Sequence, residues 1–180
     1  MTGCRIHPLT PAHASIVLDL YRAAASIRGS GLARAADEIT MTHVRTFMER
    51  ACLDGVSLGA FRDDRLVGEI HAARLGPRQF DHVLGDLTIA VHPQVQGQGV
   101  GSVLFAALFD TAALMTPAIA RVELTARSGN AGALRLYERL GFVREGRLAG
   151  RVRLPDGTTE DDIPMGFRLD GHAPGPMPDA

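Results

Sequence analysis

Apolar residues recur along this chain with two distinct periods, and the changes between them mark out its elements. Arg5 to Leu9 reads as a short strand. Thr10-Pro11 is a helix start, a capping hydroxyl followed by proline at the first position. Ile16, Val17, Leu20, Tyr21 and Ala24 then keep helical spacing to about Ser26, and Gly29, Ser30 and Gly31 break it. Thr40 caps a second helix with Val44, Phe47, Met48, Ala51 and Cys52 on one face, ending near Asp54-Gly55. The period then falls to two. Val56 to Arg62 and Leu66 to Leu75 are strands joined by Asp63-Asp64-Arg65, and Gly85 to His92 is a near-continuous apolar strand of the kind covered on both faces.

A glycine-rich loop and an apolar helix from about Val100 to Thr116 follow at once. Val100, Val103, Leu104, Ala107, Leu108, Thr111 and Leu114 hold one face of that helix. Phe105, Phe109 and Ala112 add a second stripe, which predicts deep burial or a subunit contact. Ile119 to Ala126 alternates as a strand. Asn130 caps a helix that ends at Leu140, with Gly141 as its left-handed terminator. Phe142 to Leu154 and Thr158 to Leu169 read as a closing hairpin around Pro155-Asp156-Gly157. The order β-α-α-β-β-β-α-β-α-β-β predicts one α+β or α/β domain over residues 1–170 around a mixed sheet. Residues 171–180, rich in proline and glycine, read as a flexible tail.

Composition narrows the chemistry. With 180 residues, 46% hydrophobic and 22% charged, the chain can fold without disulfide or metal. A net charge of −1 argues against a protein built to hold nucleic acid or an acidic membrane. All 19 basic residues are arginine, which excludes Schiff-base lysine chemistry and the Walker lysine. Cys4 and Cys52 form no disulfide framework, and Cys52 is expected to pack in its helix stripe. No leader-like or membrane-spanning stretch occurs in the sequence given, so a cytoplasmic location is expected. The histidines show no metal-ligand spacing and no metal is expected.

Gln96-Gly97-Gln98-Gly99-Val100-Gly101 lies between a buried strand and an apolar helix. Glycines there allow a sharp turn that converges backbone N–H groups, and the helix start adds unpaired N–H groups and a positive dipole end. That is a phosphate site without a side-chain cation. It is no Walker loop, having no lysine, and no dinucleotide fingerprint, since Ser102 stands where the third glycine would fall.

Val91-His92-Pro93 followed by Gln96-x-x-Gly99-x-Gly101 resembles the acyl-CoA-binding motif of the GNAT superfamily of N-acetyltransferases. Asn130, Ala131, Ala133, Leu136, Tyr137, Leu140, Gly141 and Phe142 match a second signature at the expected distance, and the likeness is strongest over about residues 84–145. The resemblance implies a mixed, mostly antiparallel sheet of six to seven strands flanked by about four helices. It implies acetyl transfer from acetyl-CoA, as co-substrate, to a primary amine by direct attack. By the same likeness the loop from Gln96 to Gly101 would hold the pyrophosphate. Ile89, Ala90 and Val91 would bind the pantetheine where two parallel strands splay, and Asn130 would contact the cofactor. Tyr137 would protonate the leaving thiolate, which is reasonable for a tyrosine of ordinary pKa about 10 facing a thiol near 8.5.

The base is left open. Thr125 stands where some relatives carry a strand glutamate, with Glu123 one pleat away, about 6.6 Å. Asp86, Glu69, His71 or a water chain are the other candidates. Arg147, Arg151 and Arg153 are expected to face Glu160 and Asp162 across the closing hairpin. The acceptor, a small-molecule or peptide amine, is expected between Ile27 to Ala35 and Arg151 to Thr159, where Arg28, Arg34 and Ser30 hint at an anionic group on it. The apolar second stripe of the 100–116 helix, with common family behaviour, favours a homodimer. A non-catalytic acyl-CoA sensor on the same fold is the alternative reading.

Overall fold

The structure is a computed structural model, and it describes residues 3–27, 29–169 and 171. The periodicities produce the elements they imply. Strand β1 (Arg5–Pro8) leads through a single 3₁₀ turn at Pro11–His13 into α1 (Ala14–Ala25). Helix α2 (Met41–Asp54) begins where Thr40 accepts the His43 N–H. Strands β2 (Gly55–Arg62), β3 (Arg65–Arg74) and β4 (Val83–Val91) form a meander. Helix α3 (Val100–Ala113), β5 (Arg121–Arg127) and α4 (Ala131–Leu140) follow, and then β6 (Val143–Arg144), β7 (Leu148–Arg153) and β8 (Thr159–Arg168).

The eight strands make one sheet in the order β1-β2-β3-β4-β5-β8-β6, with β7 also on β8. Only β4 and β5 pair in parallel; the other pairings are antiparallel. The count exceeds the expected six to seven because Phe142 to Leu154 is not one strand. Its two halves, β6 and β7, lie end to end along β8 and break at residues 145–147. There Glu145 gives its N–H to the carbonyl of Pro164, a residue with no N–H to return, so the ladder cannot continue.

One core lies between the sheet and α3/α4, built on Leu104, Phe105, Leu108, Val122 and Met165. A second lies under α1 and α2 on the opposite face, built on Val17, Tyr21, Val44 and Met48. The second apolar stripe of α3 is covered within the chain. Phe105 meets Tyr137 and Phe142 edge-on, and Phe109 stacks on Phe167 at 4.4 Å. That stripe is therefore covered largely by the chain's own aromatic residues. The helix also stops at Ala113, leaving Leu114 exposed.

Two further expectations change. Cys52 is exposed as a residue rather than packed; its thiol donates to the Leu9 carbonyl at 3.2 Å, and partial burial of the sulfur raises its pKa. Across the closing hairpin Arg147 pairs with Asp161, not Glu160, while Arg151 pairs with Asp162 at 3.6 Å. The bulge between Leu148 and Val152 shifts the register and brings Asp161 round to Arg147. Arg28 and all but Gly171 of the expected tail lie outside the described residues. Among the described residues no helix is long and apolar enough to cross a membrane, and no group of three His, Cys, Asp or Glu could hold a metal.

Candidate active site

The site begins with a failure of pairing. Strands β4 and β5 are hydrogen-bonded only at Val83–Arg121 and Leu84–Val122. Two residues on, Asp86 takes a left-handed φ of +48°, and from there the strands part. A wedge opens between them with the unpaired edge of β4 on one side.

At the wide end of the wedge sits the glycine loop. Gly97 and Gly99 adopt φ of +74° and +82°, values that a Cβ would strain. Gly99 is the N-cap of α3. Among the described residues no acceptor takes the N–H groups of Gly97, Gly99, Val100, Gly101 and Ser102. Five donors and a helix start thus face one cleft of about 560 Å³. Ile89 and Val91 line it from β4; Asn130, Leu136 and Tyr137 line it from the α4 side. Ile27, Gly29 and Ser30 close it from the segment after α1.

The expected cofactor residues divide here. Ile89, Val91, Gln96, Gly97, Gly99, Val100, Gly101 and Asn130 line the cleft together with Tyr137. Ala90 does not: it is buried against the α1/α2 core. Gln98 does not either, because its amide is held by Arg62 at 2.8 Å and by the Gln94 carbonyl. The Gln96 side chain turns back to the Val91 carbonyl at 3.1 Å, fixing the loop and leaving its backbone toward the cleft. Asn130 caps α4 by accepting the Ala133 N–H at 3.1 Å. The sequence reading missed Arg139, a cation at the rim; its spacing from Gly132 and Leu136, i+7 and i+3, places it on the same helix face and was the available signal.

Tyr137 is buried against Phe105 and Phe142, yet among the described residues its hydroxyl has no partner. Among the described residues the only side-chain polar atoms sealed without a partner are Ser57 Oγ and Arg74 Nη1, so the phenol oxygen opens onto the cleft. Burial pushes its pKa up to about 12. The sequence implies an ordinary tyrosine value; burial instead holds the group as a phenol over the neutral range.

On the α1/α2 face of the sheet, two smaller cavities meet at Asp86 and Thr88. One, about 440 Å³, holds Arg121, Glu123, Thr125 and Glu145. Arg121 forks onto Glu145 and also holds Glu123 at 3.0 Å, which keeps the Glu145 carboxyl below its usual range. The other, about 290 Å³, holds Tyr21, Arg34, His43, Phe47, Arg50 and His71. His43 is lowered by burial, and by Arg34 and His71 nearby. Leu32 and Ala33 line this cavity too, so the segment after α1 closes both it and the cleft. The hairpin tip, Arg151 to Thr159, lines none of the three.

The base candidates are no longer equivalent. Asp86 pairs with Arg50 at 2.5 Å and Glu123 with Arg121. Glu69 is fully buried. Asp86 and Glu123 line these cavities but are paired with arginine, whereas His71 lines one and, among the described residues, keeps its Nε2 unbonded.

Known proteins share this fold. The protein yncA of Salmonella typhimurium, solved with its cofactor acetyl-CoA, superposes with a TM-score of 0.80 at 22% identity, over 99% of each chain. A phosphinothricin acetyltransferase of Sinorhizobium meliloti in complex with acetyl-CoA gives 0.81 at 17%, over 97% of this chain and 94% of that one. These likenesses show the fold. A mycothiol acetyltransferase of Brachybacterium faecium is 38% identical over 90 residues, which is 50% of this chain and 27% of that protein. The sequence profile of the acetyltransferase (GNAT) family matches residues 37–142, more than half of the chain, and the protein belongs to that family.

Proposed function

We propose that the protein transfers an acetyl group from acetyl-CoA to an amine. The observation that carries this reading is the junction of the splayed β4–β5 edge with five unclaimed N–H donors and the free Tyr137 hydroxyl in one cleft. The donors of residues 97–102 suit a pyrophosphate, and Arg139 at the rim suits a further phosphate. The unpaired edge of β4 at Ile89 and Val91 suits the amides of a pantetheine arm, which would add to the sheet like a strand. Family membership and two neighbours solved with acetyl-CoA support the choice of co-substrate.

When bound, acetyl-CoA supplies an activated acyl group whose carbonyl gains negative charge as it is attacked. A β4 N–H left unpaired where the strands part would stabilise that charge. Tyr137 donates a hydrogen bond to the departing sulfur; at a pKa of about 12 it is a weaker acid than a thiol near 8.5, so a completed transfer is not required of it. The two cavities at Asp86 and Thr88, on the other side of β4, are where the amine would wait.

Thermal unfolding with acetyl-CoA, and with ATP and NAD as controls, tests the cleft. A ligand at a hundredfold its Kd adds about 2.7 kcal/mol, which moves the midpoint by several degrees. Release of thiol is then followed with tyramine, spermidine, glucosamine, an alanyl peptide and, after the curated relative's name, the amine that acetylation would turn into mycothiol. A shift with acetyl-CoA and turnover of one amine are expected. A shift without turnover of any amine would make the protein an acyl-CoA sensor instead, and a shift with ATP or NAD alone would overturn the reading.

A further inference from the structure

Under the acceptor-side cavity lies a buried polar group that the cofactor cleft does not use. Glu69, fully inaccessible on β3, accepts a hydrogen bond from the Tyr21 hydroxyl at 2.6 Å. Both its oxygens also lie 3.2 Å from His71 Nδ1. A carboxylate with no solvent must be matched by donors. Tyr21 is held as a phenol, its pKa raised by burial and by Glu69, so it donates and does not compete for the imidazole proton as a phenolate would. Among the described residues the other side-chain donor within reach of Glu69 is Nδ1–H of His71. That hydrogen bond places the neutral ring's proton on Nδ1 and leaves the lone pair on Nε2.

The ring cannot turn away. Phe47 stacks on it at 4.0 Å with the planes 9° apart, and Tyr21 stacks more distantly at 6.4 Å. Among the described residues nothing bonds Nε2, and it is not one of the sealed polar atoms, so it opens onto the 290 Å³ cavity. His71 stands opposite Thr88 in the β3–β4 register, and Thr88 precedes the cleft-lining Ile89. A proton taken up at Nε2 is supported twice, by the Glu69 carboxylate beyond Nδ1 and by the face of Phe47.

We propose that His71 Nε2 is the proton acceptor for the incoming amine, with Glu69 and Tyr21 as the residues that position it. The proposal rests on the acetyl-transfer reading above. An ammonium acceptor sheds two protons. One passes to His71 Nε2 and then to solvent, freeing the nitrogen lone pair to form the N–C bond. As that bond forms, the C–S bond breaks and its electrons leave on sulfur; the second nitrogen proton ends on that sulfur. The products are an amide, a thiol and one proton.

The test has a spectroscopic and a kinetic arm. Long-range proton–nitrogen correlation of the histidine-labelled protein, with His71→Gln identifying the resonance, is expected to show Nδ1 protonated and Nε2 bare, and Glu69→Gln to weaken that preference. A wild-type ring protonated on Nε2 would overturn the proposal without any appeal to variant folding. With the best amine of the panel, His71→Gln is expected to lower kcat/KM about 10²–10⁴-fold and to lose the acid limb of the pH profile. Arg34, His43, Arg50, Asp86, Tyr21 and Glu69, the other charged or titratable groups around the ring, all stay in place. The acetyl-CoA thermal shift is expected to be unchanged. A His71→Gln enzyme within tenfold of wild type, or one that keeps the acid limb, would overturn the proposal. A wild type that acetyl-CoA does not stabilise would instead overturn the acetyl-transfer reading itself.

Discussion

Arg127, at the open end of β5, donates through Nη2 to the carbonyl oxygen of Leu32 at 2.7 Å. This bond joins the splayed strand to the segment between α1 and α2, which closes the 560 Å³ cleft with Ile27, Gly29 and Ser30 and the 290 Å³ cavity with Leu32, Ala33 and Arg34. A hydrogen bond from a charged donor contributes about 1.5–3 kcal/mol, and partial exposure favours the low end here. Arg127→Leu is expected to release the segment without unfolding the domain. Hydrogen exchange over residues 29–38 should quicken, and acetyl-CoA affinity should drop about tenfold, the equivalent of 1.4 kcal/mol. Unchanged exchange in that segment would show that the bond holds nothing.

Gly31 makes the same segment sensitive to a single methyl group. Its φ is +78°, and a Cβ built there would come within 2.3 Å of Asn130 Nδ2. Asn130 caps α4 and lines the cleft, so it cannot yield freely. Gly31→Ala is expected to cost about 1–2 kcal/mol of backbone strain, expressed as a lifted segment rather than a lost fold. The check is calorimetric: weaker acetyl-CoA binding with a nearly unchanged melting temperature of the free protein. Gly29, also left-handed at +75° but with nothing within 4 Å of its Cβ position, is the control that should bind better than Gly31→Ala.

Tyr137→Phe separates packing from chemistry. The ring sits against Phe105 and Phe142, and phenylalanine keeps those contacts. Among the described residues nothing bonds the hydroxyl, so its removal should change stability by less than about 1 kcal/mol. Turnover on the amine panel should fall about 10²-fold, the lower end for losing a positioned proton donor, with acetyl-CoA affinity within about twofold. A collapse of acetyl-CoA binding would mark the residue as part of the binding wall only.

The sequence carried the elements because period and punctuation agreed. Thr40, Asn130 and Gly141 cap where their side chains or missing Cβ require, and the run from β4 through the glycine loop into α3 is legible residue by residue. Side-chain direction within the loop was not. Gln96 and Gln98 both look like ligand contacts in the motif, yet their amides are spent on Val91, Arg62 and Gln94. The break at residues 145–147 depended on a partner, Pro164, nearly twenty residues away, which no local pattern announces. The relation among Tyr21, Glu69 and His71 was half visible. Glu69 and His71 share a face by alternation, but only tertiary packing of α1 brings Tyr21 to them. The burial that raises Tyr137 to about 12 likewise comes from α3 and the β6 edge, not from its own helix.

That burial has a consequence measurable without any ligand. The chain has two tyrosines and no tryptophan, so phenolate absorbance near about 295 nm reports Tyr21 and Tyr137 alone. Both phenols are raised in the folded state, Tyr137 by burial to about 12, and Tyr21 well above its ordinary value by burial and by Glu69. A raised folded-state pKa means that the fold favours the protonated form. The stabilisation is complete below the unfolded tyrosine value of about 10 and is lost as pH climbs through the folded value. For Tyr137 the window is about pH 10 to 12 and the loss is about 3 kcal/mol. The folded protein should therefore show almost no phenolate signal where free tyrosine is half ionised, and the signal should appear together with loss of the far-ultraviolet dichroism. In Tyr137→Phe the fall of the melting temperature across that window should be shallower. Phenolate appearing with a midpoint near 10 in protein that keeps its dichroism would mean that the two rings are open to water, and would undo the burial on which the reading of Tyr137 depends.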